Sequence, residues 1–296
     1  MRKEITNAAI FAALTLMAHA EDEFYKEEIR VTPLNPSHYV LNGAGTNMVA
    51  SIGSDGTLLV DDDYFEMADK LIEKLKELKG DRPRFIINTH FHYDHTGGNK
   101  VFGSSATIIA ATPIRDRLMT EQVLWKHKHP AFPTYALPSI TFDDKITLHV
   151  NNENIQLLHL PHGHTDGDTV VFFDKSKIVA MGDIYFAGMF PIFHPEHGGH
   201  IKDFAKNVGI VLKQCPEDAQ IVPGHGPLSN KRELEAFHMM LLSSIDKVEK
   251  EIKNGFSLEQ ILKAGLPEWE KFSHGYANTD RWLTLLYNDL LQNNSK

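Results

Sequence analysis

A single cysteine, Cys215, in 296 residues excludes an internal disulfide. It precedes Pro216 with no histidine beside it in sequence, so it reads as a plain thiol and not as a nucleophile. The chain also lacks a basic stripe: 30 Lys and Arg stand against 39 Asp and Glu, a net charge of -9. Nucleic-acid affinity comes mostly from cations on phosphates, so no nucleic acid is expected as a partner. There is no repeat and no low-complexity tract. No apolar run reaches the about 20 residues that a membrane helix needs. The apolar stretch at residues 8–18 has only eleven, between a positive start at Arg2-Lys3 and the small-x-small site Ala18-His19-Ala20. Residues 1–20 therefore read as a secretory signal peptide, which predicts a periplasmic or secreted protein without stable membrane insertion.

What is present suits one large domain, since 42% of the residues are hydrophobic and only 23% charged. From about residue 38, short β-branched runs alternate with helical or loop segments. Strands are expected over 57–61, 84–89, 107–110, 155–160, 169–174, 177–183 and 220–223. Residues 30–60 read as a meander with a turn at Asn42-Gly43-Ala44-Gly45. Between the first two strands, Phe65, Ala68, Leu71, Ile72, Leu75 and Leu78 fall at helical spacing before Gly80. The pattern is α/β with a large antiparallel share, so two sheets covered by helices are expected. After residue 230 the pattern turns helical. Asn230 and Glu233 resemble a capping box, and Leu234, Phe237, Leu241, Ile245, Val248 and Ile252 mark one face of a long helix. Two more helices are expected over 257–264 and 279–291. The domain then spans 21–230, with 231–296 a helical extension packed on it; a monomer and a homodimer both fit that apolar face.

The chemistry concentrates in His90-Phe91-His92-Tyr93-Asp94-His95, after the strand residues Phe85-Ile86-Ile87 and before Thr96-Gly97-Gly98. In an extended segment alternate side chains share a face, so His90, His92 and Asp94 converge, and a turn at the glycines brings His95 round to them. Burying so many ionisable groups unpartnered is too costly for an ordinary core. A metal, or two, is the natural reason for the cluster. Further candidates are His164 in Pro161-His162-Gly163-His164-Thr165-Asp166-Gly167-Asp168, Asp183 in Ala180-Met181-Gly182-Asp183, and His225 in Pro223-Gly224-His225-Gly226. Asp61, His90, Asp183 and His225 each end or just follow an expected strand, so a shared sheet edge would gather them.

At these motifs the chain resembles the metallo-β-lactamase superfamily, from about residue 38 to 228. The resemblance implies a four-layer αβ/βα sandwich of two mixed sheets and two zinc ions per chain. His90, His92 and His164 would hold one ion and Asp94, His95 and His225 the other, with Asp183 bridging them; iron and manganese are the alternative metals. Asp61 matches the aspartate that orients the ligand loop. The implied reaction is hydrolysis of an activated acyl bond in a small-molecule substrate, by water ionised at the metal pair and oriented by Asp94 as catalytic residue. Off the motifs, His162 is expected to line the pocket or face solvent. His127, His129, His149, His159, His194, His197 and His200 are expected at the surface or behind the ligands, with 194–200 bordering the cleft. Asp62 and Asp63 read as solvated or helix-capping carboxylates.

Two departures bear on substrate. β-Lactamases of the cysteine-ligand subclass carry Cys where this chain has Asp183, and a lysine three residues later where it has Phe186. The 42–46 hairpin also lacks an apolar tip. These features imply weak β-lactam turnover, and the expected substrate is an activated acyl bond of a β-lactam-like compound, a lactone or an ester. Asp183 is similar to the ligand of glyoxalase II, so a thioesterase of that type is the first alternative. An iron-containing redox or accessory protein of the same fold is the second, although the flavo-diiron branch has Glu where His92 stands.

Overall fold

The computed structural model describes residues 27–124 and 127–293. The signal-peptide reading of 1–20 lies outside them. Two sheets stack face to face. The first runs in the order β1-β2-β3-β4-β5-β6-β9, from β1 (Arg30–Asn35), β2 (His38–Asn42), β3 (Asn47–Gly53), β4 (Gly56–Val60), β5 (Pro83–Ile87), β6 (Thr107–Ala111) and β9 (Ile140–Phe142). Its first four strands form the antiparallel meander, while β4, β5, β6 and β9 are parallel. The second runs β10 to β15 in order: β10 (Lys145–Val150), β11 (Glu153–His159), β12 (Thr169–Phe173), β13 (Ile178–Ala180), β14 (Gln220–Val222) and β15 (Ser229–Asn230). Only its β13–β14 pair is parallel. A small hairpin, β7 (Gln122–Leu124) with β8 (His127–His129), stands apart.

Strand periodicity builds the layers. In β4, Leu58 and Val60 join Ile87, Ile109, Leu157 and Val171 between the sheets. Leu59, between them in sequence, faces the other way onto Leu71 and Leu75 of α1 (Ala68–Glu77). On the second sheet, Val170, Phe172 and Val179 point outward onto α5 (Ile201–Gln214) and α6 (Lys231–Lys253). The order is helix, sheet, sheet, helix, and both sheets are mixed. Strands covered on both faces need continuous apolar runs, as Thr169–Phe173 supplies. Helices α7 (Leu258–Ala264) and α8 (Thr279–Asn293) complete the outer cluster, where Trp282 stacks on Phe190 with ring centroids 5.7 Å apart.

Several elements differ from the sequence reading. The helical spacing over 65–78 divides into a 3₁₀ turn at Phe65–Met67 and α1. The strand expected to reach Asp183 ends at Ala180, because Gly182–Ile184 coils into a 3₁₀ turn. Helix α5 was not anticipated. Its apolar face (Ile201, Phe204, Ala205, Val208, Val211) is regular, but Asn207 and Gly209 interrupt it, and Asn207 is buried donating to the carbonyls of Leu160 and Pro161. Short helices α2 (Tyr93–Thr96), α3 (Asn99–Phe102) and α4 (Thr112–Leu118) also emerge. Cys215 is a buried free thiol at the end of α5, its pKa pushed up by burial, in keeping with a plain thiol.

Candidate metal centre

All seven expected ligands meet at one edge of the sandwich. His90 and His92 leave the end of β5, His164 sits in the β11–β12 loop, Asp183 in the turn after β13, and His225 in the loop after β14. Asp94 and His95 arrive differently from the alternation argument. They occupy the helical turn α2, so a change from extended to helical backbone at His92 brings them in. Gly97 is helical itself, with φ −60°. Its role, like that of Gly98, is close approach: a Cβ on Gly97 would stand 2.4 Å from Phe65 N, and one on Gly98 2.5 Å from Asp62 O. His225 is placed from the other sheet, since Asn47 Nδ2 donates to the carbonyls of Pro223 and Gly226 at 3.0 and 2.8 Å.

The donor atoms form two groups. His90 Nε2 and His164 Nε2 each lie 3.0 Å from His92 Nδ1. Asp94 Oδ2 lies 3.3 Å from both His95 Nε2 and His225 Nε2. Asp183 touches both groups: Oδ1 is 3.2 Å from His95 Nε2, and Oδ2 is 3.3 Å from His164 Nε2 and 3.4 Å from His225 Nε2. Within each of the sets His90, His92, His164, Asp183 and Asp94, His95, His225, the donor atoms lie within 4.8 Å of one another.

The far nitrogens decide the tautomers. His95 Nδ1 donates to Asp61 Oδ2 at 2.7 Å, His164 Nδ1 to Ile192 O at 2.6 Å, and His225 Nδ1 to Gly45 O at 3.0 Å. His90 Nδ1 lies 3.2 Å from Thr89 Oγ1, which itself donates to Asp61 Oδ2 at 2.8 Å, so it donates to that hydroxyl. In the neutral ring each arrangement leaves a lone pair on the nitrogen facing the centre, as a metal requires. Among the described residues, His95 Nε2 and Asp183 Oδ1 are buried without a well-aligned hydrogen bond. Orphaned donor atoms of ligand type, converging from five imidazoles and two carboxylates, fit a pair of borderline divalent cations.

Charge is unevenly distributed. Burial and neighbouring imidazoles hold His90 and His92 well below the ordinary histidine pKa, and burial lowers His164 to about 4. These three are neutral. Burial opposes charge on His95 and His225, but the surrounding carboxylates outweigh it, raising His95 well above its usual value and His225 to about 10. Burial likewise pushes Asp94 and Asp183 up, and the imidazoles more than reverse it, holding both well below the carboxylate range. The carboxylates are ionised.

The flanking residues bring corrections. Asp62 and Asp63 are fully buried, neither solvated nor capping an α-helix. Asp63 accepts from the backbone N of Tyr64 and of Ala44, tying the β2–β3 turn to this loop, and burial raises its pKa to about 7. Asp62, packed against Gly98, is pushed well above the carboxylate range by burial and by Asp61 and Asp63. His162 is exposed, with Nδ1 2.9 Å from Gly198 O. His127 and His149 are exposed and His159 and His200 half-buried, whereas His194 and His197 are buried beside His92. His194 and His129 line the cavity that opens over the donor atoms.

That cavity has a volume of about 440 Å³. Tyr64, Tyr93, Phe186 and Ile192 give it apolar walls; Tyr276 and Arg281, from the C-terminal segment, close one side. Phe186 stacks on His225, with centroids 5.3 Å apart. Sequence reasoning did not find Thr46, whose Oγ1 donates to Asp94 Oδ2 at 3.1 Å, or Tyr276, whose hydroxyl lies 3.1 Å from His225 Nδ1. Neither belongs to a motif. Asp168, within the Gly-His-Thr-Asp-Gly-Asp run, braces the His164 loop by accepting from the backbone N of His164 at 2.6 Å.

The sequence profile of the Metallo-beta-lactamase superfamily matches residues 43–226, and the chain belongs to this superfamily of hydrolases. It is 25% identical over 207 residues to the metallo-beta-lactamase type 2 of Elizabethkingia meningoseptica, covering 67% of this chain and 79% of that one. It is 28% identical over 159 residues to the hydroxyacylglutathione hydrolase of Pelagibacter ubique, covering 53% and 57%. Its backbone superposes on the metallo-beta-lactamase from Pontibacter korlensis with a TM-score of 0.61, at 17% identity, over 73% of this chain and 99% of that one. The superposition shows a shared fold.

Proposed function

We propose that the protein is an exported dinuclear zinc hydrolase acting on an activated acyl bond, a lactone or ester before a β-lactam. The observation that carries this reading is the meeting of seven ligand-type side chains at the floor of a cavity sized for a small molecule. Export rests on the pattern of residues 1–20 alone.

In this reading His90, His92 and His164 hold one zinc, Asp94, His95 and His225 the second, and Asp183 touches both. Bound there, divalent cations supply Lewis acidity, polarising an acyl oxygen and making water acidic enough to be nucleophilic near neutral pH. The side chains do the rest. Asp94, ionised and steadied by the Thr46 hydroxyl, offers a carboxylate oxygen that orients the attacking water. Tyr276 presents a hydroxyl over His225, able to donate to an oxygen that gains charge. Phe186 and Ile192 keep the acyl side of the cavity apolar and restrict water. The aromatic walls admit an uncharged ring or chain, and among the described residues exposed Arg281 is the one Lys or Arg in the cavity lining.

A thioesterase of glyoxalase II type is the second reading, favoured by Asp183 and by the likeness to a hydroxyacylglutathione hydrolase. The test is turnover of a chromogenic cephalosporin, a γ-lactone, an aryl ester and an acyl thioester by the zinc-loaded chain, alongside His92→Ala and Asp183→Ala. The expected result is lactone or ester hydrolysis that both variants lose together with bound zinc. Equal activity in metal-stripped protein, or no turnover of any of the four, would overturn the proposal. Preference for the thioester would select the second reading.

A further inference from the structure

Outside the seven-residue cluster, the turn after Phe193 brings a further set of ligand atoms together. His194, Glu196 and His197 each offer one donor atom, and these atoms lie within 4.8 Å of one another. The local sequence enforces this. Pro195 opens a 3₁₀ turn over Pro195–His197, and Gly198 ends it in the left-handed region at φ 80°. Residues three apart eclipse on such a turn, so His194 and His197 lie side by side, ring centroids 5.5 Å apart. Glu196 Oε1 sits 3.1 Å from His194 Nδ1.

The second observation is an orphan. His197 is only 5% exposed, yet its Nδ1 is buried with no hydrogen-bond partner among the described residues. A buried imidazole nitrogen left unpaired is costly unless something occupies it. The turn is also rigidly held: His194 N donates to His164 O at 3.0 Å, and Asp166 N to His197 O at 2.9 Å. The cation Arg117 makes two bonds to Asp166, at 2.7 and 2.6 Å, and that carboxylate counters part of its repulsion of positive charge at His197.

We propose that His194, Glu196 and His197 form a third divalent-cation site, separate from the seven-residue cluster and suited to zinc. Two imidazoles and a carboxylate are borderline donors that favour zinc over magnesium or calcium. Three protein ligands leave a position for solvent, and the exposed Glu196 makes the site open. It holds its ion less tightly than the enclosed cluster. His194 lines the substrate cavity and its ring lies 4.9 Å from that of His92, so the ion sits on the wall of the cavity.

The test is zinc stoichiometry of the full chain, by equilibrium dialysis over rising free zinc with metal counted by mass spectrometry. Wild type is expected to take up one weaker equivalent beyond its tight ones. Glu196→Gln, an exposed substitution that leaves the fold alone, and His197→Ala should each bind one equivalent fewer than wild type. Even outer partners of metal ligands are worth about 10–100-fold in affinity, so losing a direct ligand should weaken that equivalent at least as much. Asp183→Ala should lose tight zinc and keep the weak equivalent, which separates this proposal from the hydrolase reading. Circular dichroism checks that His197→Ala is folded. No weak equivalent in wild type, or one that survives unchanged in Glu196→Gln, overturns the proposal.

Discussion

Asp61→Asn is the substitution that tests the metal centre most directly, because it changes no ligand. Asp61 is 1% exposed and its two oxygens accept three hydrogen bonds: Oδ1 from Thr89 N at 2.8 Å, Oδ2 from Thr89 Oγ1 at 2.8 Å and from His95 Nδ1 at 2.7 Å. Its φ of 61° lies in the left-handed region, which Asn tolerates and Ala does not, so Asn isolates the hydrogen-bonding effect. An amide cannot satisfy this site either way round. With Nδ2 toward Thr89 N, two donors face each other. With Nδ2 toward His95, that ring must either lose its bond or move its proton to Nε2, the atom facing Asp94 and Asp183. The Thr89 hydroxyl would then accept from the amide and turn its own proton toward His90 Nδ1, disturbing a second ligand in the same way. A buried unsatisfied partner costs about 1–3 kcal/mol of folding stability. Loss of a ligand's rear anchor costs about 10–100-fold in metal affinity, which is about 1.4–2.8 kcal/mol. Competition for zinc against a chromophoric chelator measures the second quantity and urea unfolding the first. Zinc affinity within about twofold of wild type in a folded variant, against that 10–100-fold expectation, would refute the role given to Asp61.

Three further perturbations follow from the packing and the charges. Gly224→Ala places a Cβ 2.1 Å from Asp183 Oδ1 and 2.7 Å from the carbonyl carbon of Gly182. It should therefore displace Asp183 and cut zinc content, and mass spectrometry showing wild-type loading would contradict the close approach. Trp282→Ala empties a site with no exposed surface, stacked on Phe190, at a cost of about 3–5 kcal/mol. Trp282→Phe should cost clearly less, because the buried indole Nε1 has no hydrogen bond among the described residues to lose; equal urea midpoints for the two variants would refute this. In metal-free protein, His225 is raised to about 10. A raised histidine pKa gives stability that is complete below the unfolded value of about 6.5 and lost as pH climbs toward the folded one. Metal-free wild type should therefore weaken between those two pH values, and His225→Ala should flatten the change. Urea midpoints across that range report it, and parallel profiles would contradict the assignment.

The residues that meet at the centre were legible because their chemistry is unusual for a core. Four side chains of metal-ligand type within residues 90–95 have few explanations, and the same holds for Asp183 and His225 just past strand ends. The path that brings them together was read less well. Alternation along an extended run was expected to align Asp94 with His90 and His92, whereas a helical turn delivers it. The two backbones share the same local residues, and the choice is made by Gly97 and Gly98 packing against the 62–65 loop, a contact between segments that no periodicity records. Helix α5 escaped notice for a related reason. Asn207 and Gly209 break its apolar stripe, and their places are settled by Leu160, Pro161 and His238 from other elements.

The anchors behind the ligands were hidden more deeply, and the reason bears on how specificity arises in this chain. Two of them, Gly45 O and Ile192 O, are backbone carbonyls, which every residue carries and no motif can mark. Tyr276 reaches His225 from 51 positions away, and Thr46 reaches Asp94 across 48. Tyr276 and Arg281 belong to the segment that sequence alone assigned to a helical extension, yet they form a wall of the cavity. Trp282, one residue beyond Arg281, is locked between Phe190 and Phe193 in the outer core. The wall of the cavity near Arg281 is thus fixed by hydrophobic packing of α8, and its floor of ligand-type side chains by the polar loops at the strand ends. In the proposed hydrolase, substitution of Arg281 on the cavity wall would therefore alter the substrate side without touching a ligand-type side chain, whereas the strand-end loops have no such freedom.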